Sequence, residues 1–296
     1  MIDTRGRVVC VGGATVDRTY RLAGPLVAET SNPAAGRTGF GGVARNVAAN
    51  LARAGLPVDL VSRVGEDAAG GALLAALDAS GIGRGAVRIA AGRSTAEYVA
   101  VLMPGGDLAL GLAAMDVFDA LTPDALAAEA ALIAAASLIF ADCNLPAASL
   151  GALAARRFGG RYSLAVDAVS VAKAARLPDR LDGIDLLFLN RDEAAGLAPR
   201  FGGGGPAETA AMLVGAGARG VVVTLGAEGA LAATAEGVTR VRAVPARVVD
   251  VTGAGDALVA ATLAAVSDGA ALAEAVARGC AAAGEVVAAP RGSTRG

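Results

Sequence analysis

Largely uninterrupted apolar runs at Val8–Val11, Val58–Val61, Leu138–Ala141, Leu164–Val166, Leu186–Leu189 and Val221–Thr224 recur along the chain, separated by Ala- and Leu-rich stretches. Runs without polar alternation mark strands covered on both faces, as in a parallel sheet between helices. The stretches between them predict helices at Val43–Ala54, Gly70–Ala79, Pro123–Ala136, Ala147–Arg157, Pro206–Gly215, Ala254–Val266 and Ala270–Gly284. Alternation of the two predicts βαβ units and an α/β fold. Two stretches break the rhythm. Residues 15–40 and 93–113 read as strands and turns without helices, the second with a Pro104-Gly105-Gly106 turn between EYVAVLM and LALGLA. They predict a small β-sheet built from two separate pieces, inserted in a single domain spanning 1–296 and placed to close over a ligand as a lid.

Composition narrows the chemistry. With 54% hydrophobic and 18% charged residues and a formal charge of −2, the chain has no basic field to gather nucleic acid or an anionic membrane, which favours a small-molecule partner. No apolar run is long enough to span a bilayer, and the opening MIDTRGRVV lacks the layout of a secretory signal, so the expected location is cytoplasmic. Cys10, Cys143 and Cys280 lack CxxC spacing and sit in apolar surroundings, as buried free thiols do. There is no histidine. That removes Ser-His-Asp hydrolysis and His-ligated metals, and leaves carboxylates and backbone dipoles for any catalysis.

The richest segment is Asp250–Asp256, DVTGAGD, which opens an apolar helical run. Gly253, Ala254 and Gly255 can turn successive N–H groups toward an anion, with the positive end of a helix behind them. Asp256 falls in the first helical turn, beside that anion, where it can take a proton from an attacking hydroxyl. Its place at the helix N-terminus predicts a carboxylate stabilised in its ionised form.

Four other segments carry weaker signals. Gly41-Gly42 opens the helix that holds Arg45 and Asn46; Asn46 can bond a sugar hydroxyl, or the segment is a turn and a solvated helix face. Asp17 follows the first strand in Gly12-Gly13-Ala14-Thr15-Val16-Asp17, where it can bind vicinal hydroxyls or simply form a turn. Asn190-Arg191-Asp192-Glu193 fits a helix capping box, and equally a carboxylate that orients the water shell of a magnesium ion. Thr224-Leu225-Gly226-Ala227-Glu228-Gly229 offers backbone room for a nucleotide, or a hairpin before Ala230–Thr234. Gly215, Gly217 and Gly220 match GxGxxG but follow a helix and precede a strand, the wrong order for a dinucleotide site. GxxxxGK[ST] does not occur, so any ATP site is not a P-loop.

Taken together, GGVARNVAANLARAG and DVTGAGDA, about two hundred residues apart, resemble the two signatures of the ribokinase-like (PfkB) sugar and nucleoside kinases. The resemblance implies a ribokinase-like three-layer αβα domain with a mainly parallel sheet and a small β-sheet lid. It implies Asp256 as catalytic base and Gly253, Ala254 and Gly255 as anion hole. Asp17, Gly41, Gly42 and Asn46 would hold the acceptor, with Thr15 standing where Asn is expected. Asn190 and Glu193 would serve phosphate and Mg²⁺, Glu193 through water, while Thr224, Gly226 and Gly229 line the ATP site. Asp250 and Thr252 match positions that help bind a monovalent cation such as K⁺, and relatives pair their lids as homodimers. Within the family the likeness is to kinases of pseudouridine, carried by Ser31-Asn32-Pro33, GGVARN, Ala141-Asp142-Cys143-Asn144, Val166–Ser170 with Lys173, and Leu189-Asn190-Arg191. It adds Ser31 and Lys173 as acceptor contacts. Kinases of ribose, adenosine or fructose, and a catalytically silent sensor of nucleoside or nucleotide, are the rival expectations.

Overall fold

In the computed structural model, which describes residues 6–289, β1 (Val8–Val11) is an interior strand of the larger of two sheets. All four β1 side chains are buried, and successive ones enter different cores. Val9 and Val11 join one hydrophobic cluster, Val8 and Cys10 the other. The same division holds in β8 (Leu138–Asp142), where Ile139 and Ala141 lie with the first cluster and Leu138 and Phe140 with the second. Helices on both faces require apolar residues at every position, which is why these strands read as unbroken runs.

The remaining strands are β2 (Thr15–Leu22), β3 (Ala34–Gly41), β4 (Val58–Gly65), β5 (Gly83–Ala90), β6 (Glu97–Leu102), β7 (Leu108–Ala114), β9 (Ser163–Asp167), β10 (Leu186–Asn190), β11 (Val221–Thr224), β12 (Ala230–Thr234) and β13 (Gly237–Val241). The larger sheet has the order β13-β12-β11-β10-β9-β8-β1-β4-β5. It is parallel from β5 to β11, and β12 and β13 add an antiparallel hairpin at one edge.

The helices are α1 (Val43–Arg53), α2 (Ala68–Ala79), α3 (Pro123–Ala127), α4 (Ala130–Ala134), α5 (Ala147–Ala154), α6 (Val171–Ala174), α7 (Arg191–Phe201), α8 (Pro206–Gly215), α9 (Ala254–Ser267) and α10 (Leu272–Ala288). One layer holds α1, α2, α9 and α10, through Val47, Leu51, Leu73, Leu77, Leu258 and Val276; the opposite layer holds α3 to α8, through Leu126, Ile133, Leu150, Ala174, Leu197 and Leu213. Helix α1 buries Ala44, Val47, Ala48 and Leu51, the i, i+3, i+4, i+7 stripe of a surface helix. The fold is the expected three-layer, mostly parallel arrangement.

The expected single helix over Pro123–Ala136 is two short ones. The chain breaks at Glu129, which is 8% exposed and accepts a hydrogen bond from Arg88 Nε at 2.7 Å. Turning that carboxylate inward to a strand β5 guanidinium interrupts the helical run.

The smaller sheet has the order β3-β2-β6-β7. Its two halves come from residues 15–41 and 97–114, close to the stretches that broke the pattern. Strand β2 leaves the end of β1 through Gly12-Gly13-Ala14, and β3 returns directly into α1. The chain winds outward from β1 to β4 and β5, visits the small sheet, then resumes at β8 and winds the other way. The carboxyl ends of β1 and β8 therefore flank the point of reversal, where open α/β sheets leave a crevice.

Candidate active site

Adjacent parallel strands end in polar residues at this crevice: Asp142 on β8, Asp167 on β9 and Asn190 on β10, with Asp142 and Asp167 paired in register. Asp142 is fully buried and works as a bracket. Its Oδ2 accepts from Gly13 N–H at 3.0 Å and Ala44 N–H at 2.9 Å, and its Oδ1 from Asn144 N–H at 3.0 Å. One carboxylate thus ties the β1–β2 turn to the first turn of α1. Gly12 leaves room for it, since a Cβ there would stand 2.3 Å from Asp142 Oδ1.

That bracket aims two segments at Asp256. Gly253, at φ +80°, caps α9, and Asp256 is the third helical residue. No atom lies within 4 Å of where a Cβ would project from Gly253 or Gly255, so the space over this helix end is open. Asn46 donates from Nδ2 to Asp256 Oδ2 at 2.8 Å, joining the two signature segments directly. Asp17, half-buried on β2, accepts from Thr15 Oγ1 at 2.8 Å. Gly41 makes space for that carboxylate, because a Cβ would sit 2.1 Å from Asp17 Oδ2.

Gly42 is irreplaceable for a backbone reason. It caps α1 at φ +94°, and a Cβ would lie 2.4 Å from Gly13 O, a contact of main chain with main chain. Gly42→Ala is expected to cost about 2–3 kcal/mol of stability and to displace Asn46. Urea denaturation of the variant checks this; a midpoint equal to that of the wild type would count against it.

The structure corrects the expected ionisation of Asp256. Burial is the largest influence and raises its pKa from 3.8 to about 6; Asp142 and Asp17 push the same way, while the Asn46 hydrogen bond and Arg45 pull it down. Desolvation among like charges outweighs the favourable helix end. Asp17 and Asp167 are also raised, chiefly by burial, and in Asp167 further by Glu193, Asp256 and Asp142.

The other expected site residues lie on several elements. Lys173, on α6, donates from Nζ to Asn144 Oδ1 and to Met115 Sδ at 3.2 Å, and burial lowers its pKa. Ser31 is exposed in the β2–β3 connection, which the Asn32 side chain ties to Val27 and Thr30. Asn190 and Glu193 form a complete capping box at the head of α7: Asn190 Oδ1 accepts from Glu193 N–H, and Glu193 accepts from Asn190 N–H and Nδ2. The capping alternative is therefore realised. A carboxylate held at both oxygens keeps lone pairs for a metal's water shell, so the donor set fits contact through water. Among the described residues no three His, Cys, Asp or Glu side chains stand together as a metal site.

Thr224 ends β11, and Gly226 and Gly229, at φ +62° and +97°, form the tight turn into β12, so the hairpin alternative also holds. A Cβ on Gly229 would lie 2.0 Å from Val241 O, whereas Gly226 is open. Thr252 N–H donates to Asp250 Oδ1 at 2.9 Å, a turn that delivers the chain to Gly253. All three cysteines are buried and free, and no described helix is long and apolar enough to cross a membrane.

Asp142, Asp167 and Arg45 have prominent places that reading the motifs did not assign. Asp142 and Asp167 carried a signal, each being an acidic residue closing an apolar strand run.

The fold is an α/β architecture that gathers acidic and polar side chains at the carboxyl ends of a parallel sheet, where such folds bind ligands. The pattern that defines the pfkB family of carbohydrate kinases matches residues 5–294. Over 265 residues the chain is 32% identical to pseudouridine kinase of Escherichia coli (strain K12), covering 88% of this chain and 84% of that protein. Among solved structures, a carbohydrate kinase from Agrobacterium tumefaciens is 33% identical with TM-score 0.80, covering 94% of this chain and 89% of its own. Arabidopsis thaliana ribokinase complexed with ribose and ATP is 26% identical with TM-score 0.82, covering 95% and 92%. The chain belongs to the pfkB family of carbohydrate kinases, phosphotransferases with a hydroxyl acceptor.

Proposed function

We propose that this protein transfers the γ-phosphoryl group of ATP to the 5′-hydroxyl of pseudouridine, giving pseudouridine 5′-phosphate and ADP. The observation that carries the acceptor is the identity to a pseudouridine kinase over most of both chains. Support for the chemistry comes from Asp256 at the head of α9, bonded to Asn46, with open space beside Gly253 and Gly255 in the same helix end. Transfer through a loose transition state asks chiefly for positioning and charge stabilisation. Asp17 and the Gly41–Asn46 segment hold the acceptor, with Thr15 fixing one Asp17 oxygen. Lys173, bonded to Asn144, and Ser31, exposed in the β2–β3 connection, add contacts to the acceptor. The N–H groups of Gly253, Ala254 and Gly255 receive the phosphoryl oxygens as Asp256 takes the hydroxyl proton. Asn190, Glu193, Thr224, Gly226 and Gly229 take the nucleotide side. Glu193 would reach Mg²⁺ through water, where the ion would supply charge neutralisation, and Asp250 and Thr252 would help hold K⁺.

The small sheet acts as a lid that excludes water which would otherwise accept the phosphoryl group. On β7, Leu110 and Leu112 are 48% and 52% exposed and pair with Val101 and Val99, two residues apart, which places them on one face. This apolar face supports a homodimer formed through the lids. Sedimentation showing a dimer that Leu110→Lys dissociates is the expected result; a monomer at all working concentrations removes the idea.

ADP release measured with pseudouridine, uridine, adenosine, ribose and fructose tests the reaction. Pseudouridine is expected to give the highest kcat/KM. A preference for ribose or adenosine replaces the acceptor, and binding without turnover of any acceptor leaves a sensor. With the preferred acceptor, kcat/KM is expected to fall with unit slope on the acid side with a midpoint near the Asp256 value of about 6. A flat profile down to about pH 4.5 contradicts a base of this kind.

A further inference from the structure

Arg45 is an expensive residue in its position. It occupies the first turn of α1, where the helix dipole disfavours a cation. Its side chain is largely withdrawn from water, and Nε is buried with no hydrogen-bond partner among the described residues. Buried unsatisfied donors in native proteins call for an explanation other than stability. The explanation lies in what the other end of the guanidinium touches. Nη1 donates to Phe40 O at 3.4 Å and to Asn46 Oδ1 at 3.2 Å. The same amide donates from Nδ2 to Asp256 Oδ2 at 2.8 Å.

An amide has two orientations, and they suit opposite protonation states of a neighbouring carboxyl. With NH₂ toward Asp256 it favours the carboxylate. Turned over, its oxygen would repel the carboxylate and accept from the protonated acid. Arg45 has only donors to offer, so it binds the amide oxygen and leaves the NH₂ for Asp256. We propose that Arg45 is a positioning residue that locks the Asn46 amide in the orientation that keeps Asp256 ionised.

The charges around Asp256 make such a lock consequential. Asp17 faces it from β2, Asp142 from the end of β8 and Asp167 from the end of β9, all acidic; Arg45, from α1, is the cation among the groups that shift it. Arg45 thus acts on Asp256 twice, through its charge and through the amide. The role of Asp256 as base rests on the function proposed above; the hydrogen-bond chain does not.

The test therefore reads the carboxyl itself. In protein labelled with ¹³C at the aspartate carboxyl carbon, the Asp256 signal is identified by its loss in Asp256→Asn and titrated in wild type, Arg45→Lys, Arg45→Met and Asn46→Leu. The expected wild-type midpoint is near about 6. Arg45→Met and Asn46→Leu are each expected to raise it by about one unit, and Arg45→Lys by less because the charge survives. In folded protein, a midpoint unchanged in both Arg45 variants overturns the proposal, as does an Arg45→Met shift as large in the Asn46→Leu background as with Asn46 intact, since the effect would then bypass the amide. The acid side of kcat/KM should move with the carboxyl. Failure of every acceptor to turn over would remove the kinase reading while the titration still decides the role of Arg45.

Discussion

Asp256→Asn is expected to lower kcat by about 10²–10⁴-fold while leaving acceptor and nucleotide affinities within a few-fold of wild type. Asn matches Asp in shape and can still accept from the Asn46 amide, so binding survives while the proton acceptor is gone. The same variant should be more stable than the wild type at about pH 8. The sign follows from the raised pKa of Asp256, from 3.8 to about 6. Between the two values the folded state holds a proton that the unfolded state has released, so the stability associated with it is full below the unfolded value and lost as pH rises through the folded one. A shift of about two units corresponds to at most about 3 kcal/mol, and the gain in Asp256→Asn should vanish near about pH 4. Thermal melts at both pH values decide the matter. Near-normal turnover would refute the role of Asp256, and a variant less stable than wild type at the higher pH would refute its cost to the fold.

The second large effect is predicted at Asp142. Asp142→Ala strands the N–H groups of Gly13, Ala44 and Asn144 in a buried site, and each unmet donor costs about 1–3 kcal/mol before water enters to replace the lost acceptor. A loss of about 3–5 kcal/mol in urea denaturation is expected. Asp142→Asn keeps one oxygen but turns an NH₂ toward other donors, so it should lie between. Because Asp142 raises the Asp256 pKa, its Asn variant should also move the acid side of the kcat/KM profile to lower pH. An unchanged urea midpoint in Asp142→Ala would show that the bracket carries no load, and an unmoved profile would separate Asp142 electrically from Asp256.

Much of the fold was legible because strands buried on both faces need apolar residues throughout, and six such runs lie within β1, β4, β8, β9, β10 and β11. Strand β5, GRGAVRIA, escaped notice because, lying at an edge, it alternates only weakly and carries two arginines. The Pro123–Ala136 error came from a contact that local pattern cannot contain, the Arg88–Glu129 bond across 41 residues. At the site, glycines and acidic residues in spaced motifs pointed to Asp17, Asn46 and Asp256. The state of Asp256 did not follow from its helix position, because its neighbours Asp142 and Asp17 arrive from other strands. Asn190 and Glu193 show the opposite case: a capping box is local, and the spacing alone contained it.

The Asn46–Asp256 bond spans 210 residues. On the ribosome α1 and the strands up to β11 are made well before α9, whereas a domain generally folds as a unit. Until α9 is made, the amide of Asn46 lacks the carboxylate it bonds in the finished fold. If Asp256 is the base proposed above, competence for transfer arrives only when α9 docks beside α1, at the end of synthesis.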